Sequence, residues 1–75
     1  MKTIFFEQYL MFGLNISYYR KLRGYTQEQL AEMAGLEPDS ISKIENAKVG
    51  SSLDTLFALA KALDLPPHKL LEFRE

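Results

Sequence analysis

A 75-residue chain with no cysteine and a single histidine, His68, has to be held together by packing alone. At this size one core supplies no more than roughly 3–5 kcal/mol, and the usual reinforcements are disulfides, a metal, close helix packing or a second subunit. The missing cysteines remove the first, and one histidine builds neither a zinc cluster nor a histidine pair. Helix packing and self-association are left. The same inventory excludes most catalysis. There is no thiolate nucleophile, and Asp54 or Asp64 near His68 suits helix capping and surface charge better than acid–base work. No enzyme, no cofactor and no metal are therefore expected.

Apolar residues make up 47 % of the chain and charged ones 25 %, the balance of a soluble globular domain, and the length holds one folded unit. Nine basic residues against ten acidic give a net charge of −1, so nucleic acid cannot be gripped through bulk charge and any such binding must come from local placement. No apolar run approaches the roughly 20 residues that span a bilayer. Residues 1–12 are apolar but carry Lys2 and Glu7 and lack a small-residue cleavage pattern, so no secretory signal is read. A cytoplasmic location and no membrane partner are expected.

Helical spacing dominates. Phe5, Tyr9, Phe12, Ile16 and Tyr19 follow a 4-3-4-3 rhythm that keeps them on one face of a helix within residues 3–23. Gly13 interrupts it at a cost of about 1 kcal/mol relative to alanine, which leaves open a helix that begins only near Gly13 after an irregular stretch. Arg20, Lys21 and Arg23 followed by Gly24 mark its end. Thr26 caps a second helix running to about Ala34, with Glu28 and Gln29 as acceptors near its start, and Gly35 stops it. Pro38 at a first helical position opens a third over residues 38–46, with Ile41 and Ile44 inward. After a loop, Ser51 or Ser52 caps a fourth helix, Asp54 completing a capping box with Ser51. Leu53, Leu56, Ala60 and Leu63 form its buried stripe, flanked by Phe57 and Leu59. Pro66 and Pro67 end it and start a short fifth helix over residues 67–73. No segment alternates with a period of two, so the fold expected is all-α, a compact five-helix bundle with a helix-turn-helix motif.

The stretch Arg20-Lys-Leu-Arg-Gly-Tyr-Thr-Gln-Glu-Gln-Leu-Ala-Glu-Met-Ala-Gly-Leu, then Ile41-Ser-Lys-Ile-Glu-Asn, then Ser52-Leu-Asp-Thr-Leu and Ala60-Lys-Ala-Leu, resembles the lambda-repressor-like (Xre or Cro/cI) family of bacterial and phage transcription regulators. The resemblance covers about residues 13–71. It implies a sequence-specific regulator of transcription that binds double-stranded DNA, acting as a dimeric repressor or operon controller on a palindromic operator. Its third helix would enter the major groove while the second lies across the backbone. A groove about 12 Å wide admits one helix, and only the outer face and N-terminal turn of that helix reach base edges. Here those residues are Glu37, Asp39, Ser40, Ser42 and Lys43. Lys43 can donate to guanine O6 or N7, Asp39 can accept from cytosine N4, and a serine hydroxyl serves either way. The bland alternative is a solvated helix face.

The resemblance further implies that Gln27 holds a phosphate, that Asn46 and Lys48 hold the DNA backbone, and that Arg20 and Glu45 form an internal ion pair. Lys21 and Arg23 suit long-range attraction or, more simply, compensation of a helix C-terminus. Two departures stand out. Pro38 sits where many members carry a glutamine, and Ala47 where glycine often closes the third helix, so that either Asn46 takes that turn or the loop differs. Dimers of such domains read half-sites about 34–36 Å apart. Surplus apolar residues lie at the two ends, Ile4, Phe5, Phe6, Leu10 and Phe12 before the motif and Leu70, Leu71 and Phe73 after it; the bland alternative is that both ends complete one small core, the reading preferred for Leu70. Residues 1–12 are thus expected to be a possible dimer contact appended to a DNA-binding domain of residues 13–75, with Phe5, Phe6 and Phe73 at the seam. Restriction-modification and toxin–antitoxin systems are common homes for such domains. The competing reading, favoured by the acidic balance of the chain and by Glu37 and Asp39, is an antitoxin-like module that keeps the fold and binds a protein.

Overall fold

The computed structural model describes residues 3–73, so the outermost residues of the two expected segments, 1–12 and 13–75, lie outside it. It consists of α1 (Phe6–Leu22), α2 (Gln27–Ala34), α3 (Ser40–Glu45), α4 (Leu53–Ala62) and a 3₁₀ turn (Pro67–Leu71), with no strand among the described residues. The expected fifth helix is therefore a correction. Pro66 and Pro67 bring no backbone N–H, and Asn15 Nδ2 donates to the carbonyls of Leu70 (3.0 Å) and Glu72 (3.1 Å). This tether pins the tail to α1 before a longer helix can develop.

α1 begins at Phe6, not near Gly13. The Thr3 hydroxyl accepts from the Phe5 N–H at 3.1 Å just before the first turn, and the helix runs unbroken through residue 13. A Cβ built on Gly13 would overlap the carbonyl oxygen of Ile44 and lie 2.9 Å from that of Glu45. The glycine is where the C-terminal end of α3 lies against α1. Phe12 and Ile16 of the expected stripe are buried, Tyr9 and Tyr19 half-buried, and Phe5, ahead of the helix, is exposed.

α2 starts in a reciprocal cap: Thr26 Oγ1 accepts from the Gln29 N–H (3.0 Å), and Gln29 Oε1 accepts from the Thr26 N–H (2.8 Å). It ends on Gly35 at φ 71°, a left-handed position that favours glycine. α3 starts two residues later than expected, because Pro38 and Asp39 form a turn in which the Ser40 N–H reaches the Glu37 carbonyl at 3.0 Å. At its far end Ala47, not Asn46, adopts the left-handed conformation, at φ 54°. Its methyl is buried, 1 % exposed, and methyl burial worth about 0.8 kcal/mol offsets part of a conformational cost of about 1–2 kcal/mol. α4 is capped by Ser52, whose Oγ accepts from the Thr55 N–H at 3.1 Å, so the Ser51–Asp54 box does not form. Leu53, in the first turn, projects beyond the core and is exposed with Phe57, whereas Leu56, Leu59, Ala60 and Leu63 are buried.

The core takes Phe12 and Ile16 from α1, Leu30 and Ala31 from α2, Ile41 and Ile44 from α3, the α4 stripe, and Leu70 from the tail. α3 is backed by α1 and α2. An ion pair locks that arrangement: Arg20 Nε donates to Glu45 Oε2 (2.7 Å) and Nη2 to Oε1 (3.1 Å), while Nη1 reaches the Tyr25 carbonyl (2.9 Å). The two side chains are only 11 % and 7 % exposed.

Two outcomes are expected in thermal melts followed by circular dichroism. Gly13→Ala should destabilise the fold despite alanine's better helix propensity, by about 1–3 kcal/mol, since backbone has to move; at this size each kcal/mol lowers the melting temperature by roughly 4–8 °C. Glu45→Ala should cost about 3 kcal/mol, because it strands a shielded guanidinium.

Candidate nucleic-acid interface

With Ile41 and Ile44 turned inward, the helical period places Asp39, Ser42, Lys43 and Asn46 together on the outer side of α3. Asp39, Lys43 and Asn46 are exposed and Ser42 is half-buried. Ser40, expected on the same face, is turned by about 100° per residue to the flank. There it lines a shallow cleft with Leu36, Val49 and Thr55. Glu37 and Lys48 stand exposed in the turns before and after the helix. Pro38, in the leading turn, offers no polar side chain, so the reading strip is short.

These groups are already paired with one another. Lys43 Nζ lies 2.9 Å from Asp39 Oδ2 across one helical turn. The hydrogen bond from Lys43, and then its charge, hold the Asp39 carboxyl below its ordinary value. Asp39 is thus ionised at neutral pH, and the pair is lost only as pH falls through that lowered range. Both side chains are largely in water, and an ion pair so placed is weak enough to be exchanged for contacts to a ligand. Asn46 Nδ2 donates to the Ser42 carbonyl at 2.8 Å, turning back on its own helix.

Gln27, first residue of α2, donates through Nε2 to Glu45 Oε1 at 3.0 Å. Glu45 therefore accepts from Arg20 and Gln27 together, fixing the start of α2 beside the end of α3. Sequence reasoning missed this link, and no spacing rule joins residues 18 apart on different helices. Arg23, expected to serve long-range attraction or the end of α1, instead donates through Nε to the Leu63 carbonyl at 2.7 Å and closes the end of α4. Arg23 belongs to the scaffold, while Lys21 stays exposed. Among the described residues no cluster of three or more metal-binding side chains occurs, and no helix is long and apolar enough to cross a membrane.

The helix-turn-helix family profile matches residues 16–70, from the middle of α1 to the 3₁₀ turn. Control protein C.SmaI of Serratia marcescens is 42 % identical over 57 residues, covering 76 % of this chain and 68 % of its own length. The transcriptional regulator SinR of Bacillus subtilis is 38 % identical over 63 residues, 83 % of this chain, which spans only 57 % of SinR. Among solved structures, the restriction-modification controller protein C.AhdI from Aeromonas hydrophila superimposes with a TM-score of 0.86 at 29 % identity, over 91 % of this chain and 99 % of that one. SinR in complex with DNA superimposes with a TM-score of 0.75 at 37 % identity, over 81 % and 98 %. A profile match over most of the chain, with relatives this alike across the same helices, means that the chain belongs to the helix-turn-helix family.

Proposed function

We propose that the chain is a sequence-specific regulator of transcription that works as a homodimer on a palindromic operator in double-stranded DNA, as a repressor or operon controller. One observation carries this reading: the polar strip of Asp39, Ser42, Lys43 and Asn46 is held out by Ile41 and Ile44, with Gln27 anchored alongside by Glu45. Groups able to read bases and groups able to hold phosphates thus share one surface. The relatives support it, one being a control protein and another a regulator caught with DNA.

On this reading Lys43 leaves Asp39 for guanine O6 or N7, and Ser42 serves as donor or acceptor at a base edge. Asp39, Ser40 and Glu37 contribute at the leading end of α3. Gln27, Asn46 and Lys48 hold the backbone. At net charge −1, one domain attracts DNA weakly, and two are needed for a useful affinity. The chain is then a cytoplasmic DNA-binding protein, not an enzyme, and needs no cofactor or metal. The protein-binding alternative leaned on Glu37 and Asp39. With Asp39 paired to Lys43, Glu37 is the acid of that end that joins no ion pair among the described residues, and the case for an acidic docking face weakens.

Selection of bound duplexes from a random-sequence pool tests the reading. It should return an inverted repeat with half-sites about 10 base pairs apart, centre to centre. Binding should weaken with salt by roughly 0.9 log unit per phosphate neutralised, per tenfold rise in salt. Lys43→Ala should relax preference at one base pair of each half-site, by about 1–3 kcal/mol of discrimination. Asp39→Asn should free Lys43 and remove a charge that repels phosphate, raising affinity for unrelated duplex and steepening the salt dependence by up to about one unit. No enriched sequence and no salt-sensitive complex at low ionic strength would overturn the assignment.

A further inference from the structure

We propose that the cleft between the first half of α1, the start of α4 and the 3₁₀ tail is a binding site for a neutral phenol of one ring. Tyr9 and Phe12 form one wall, Leu53 and Leu56 the second, Leu71 and Phe73 the third. The walls are fixed before anything binds. The Asn15 amide holds the carbonyls on either side of Leu71, those of Leu70 and Glu72, and the Ser52 cap sets the first turn of α4. The volume, about 200 Å³, bounds the occupant. A buried apolar cavity of about 150 Å³ takes up benzene, whereas sites for cofactors and larger ligands run from about 300 Å³ upwards. One substituted ring fits, and a nucleotide or a peptide does not.

Charge and polarity narrow the class. Among the described residues no acidic or basic side chain lines the cleft, so a charged ligand would shed its hydration there without a counter-ion. Tyr9, Phe12 and Phe73 offer ring faces and edges against which another ring packs. One polar group lacks a partner: Ser51 Oγ, which also lines the cleft, is the single buried side-chain oxygen or nitrogen without a hydrogen bond among the described residues. It does no capping, since Ser52 holds that place. Turning it about χ1 toward the cleft therefore breaks nothing, and a ligand hydroxyl can donate to it. Water suits the place poorly, for an ordered water needs two to four polar partners; Ser52 is engaged in the cap, and Gln8 is exposed. Tyr9 links the site to the proposed interface. Gly50 lies against its ring, and a Cβ on that glycine would stand 3.3 Å from Cζ and Oη. A phenol on Tyr9 thus bears on the turn that carries Lys48, a consequence that rests on the DNA reading, whereas the binding itself does not.

Backbone amide resonances of the full chain, followed by NMR as p-cresol is added, test it. Those of Tyr9, Ser51 and Leu56 should shift and saturate with a dissociation constant of about 0.1–1 mM. Toluene, which has the ring and methyl but no hydroxyl, should bind about threefold to tenfold more weakly for want of one hydrogen bond; p-toluate, which carries a charge, should not saturate. Ser51→Ala should bring p-cresol down to the toluene value while toluene itself binds as before, and should melt no lower than the wild type because the hydroxyl has no partner to lose. Leu53→Glu, at an exposed position, should weaken both ligands by setting a carboxylate beside the ring, and it decides the matter if Ser51→Ala disturbs the toluene control. No saturable shift at these residues, p-toluate bound as well as p-cresol, or a Ser51→Ala chain that keeps the preference for p-cresol would each overturn the site. Saturating p-cresol should also change the affinity for a selected duplex by about fivefold or more; an unchanged affinity with an intact titration would overturn the link through Tyr9 alone. A failed duplex selection with an intact titration would reject the DNA reading and leave the site standing.

Discussion

The close crossing of α1 and α3 at Gly13 is the constraint on which the rest depends. α3 has six residues, far below the length at which an isolated helix holds its shape in water. It exists because it is held from behind. Ile41 and Ile44 enter the core, the absent side chain at Gly13 admits the last carbonyls of α3 against α1, and Glu45 is clamped by Arg20 at 2.7 Å. All the anchoring sits on one side. The outer strip contributes only pairings within its own helix, Lys43 with Asp39 and Asn46 with the Ser42 carbonyl, and these lie apart from the anchoring. A short rigid helix with a free outer face is the physical condition for inserting side chains between strands of DNA.

Two grades of pairing divide that surface. Lys43 and Asp39 are bound to each other in water, where the attraction is modest and a competing base edge displaces it readily. Gln27 is bound to a carboxylate that is itself shielded and engaged with a guanidinium, so its amide is held in place before any ligand arrives. On the proposed reading the exchangeable pair discriminates among bases and the fixed one sets the register on the backbone. Neither grade supplies much attraction at a distance from a chain of net charge −1. Affinity then has to come from contact and from the number of subunits that make it.

Most helix ends at which one residue carries the signal by itself were legible in the sequence, the exception being Pro38, which put the start of α3 two residues early. Thr26 with Gln29, Gly24, Gly35 and the serines before α4 mark boundaries through local hydrogen bonds and local dihedral preference, and those helices lie where the pattern puts them. Features set between distant residues were not legible. The cost of Gly13 within a helix is visible in isolation, but the carbonyls that make a side chain intolerable there come from Ile44 and Glu45, about thirty residues on. Leu53 matches the helical period and is still exposed, since period fixes direction and not whether anything waits there. The tail stops short of a helix because Asn15 takes its carbonyls. The strip on α3 could be named by position and resemblance. Its internal pairings could not, because exposed partners of nearly equal energy are separated only by the backbone geometry that brings them within reach.

A thin core and an apolar outer face on the same helix are connected. A chain this short, with no covalent or metal reinforcement, buries eleven residues in its core cluster while leaving a stripe of α1 in water, and that stripe weakens it only if it stays uncovered. If a second copy covers it, association draws on the folded state alone, and folding and dimerisation become one linked equilibrium. α1 thus has two unlike sides: the inner one fixes α3 through a residue without a side chain, and the outer one leaves Leu14, Tyr18 and Leu22 in water.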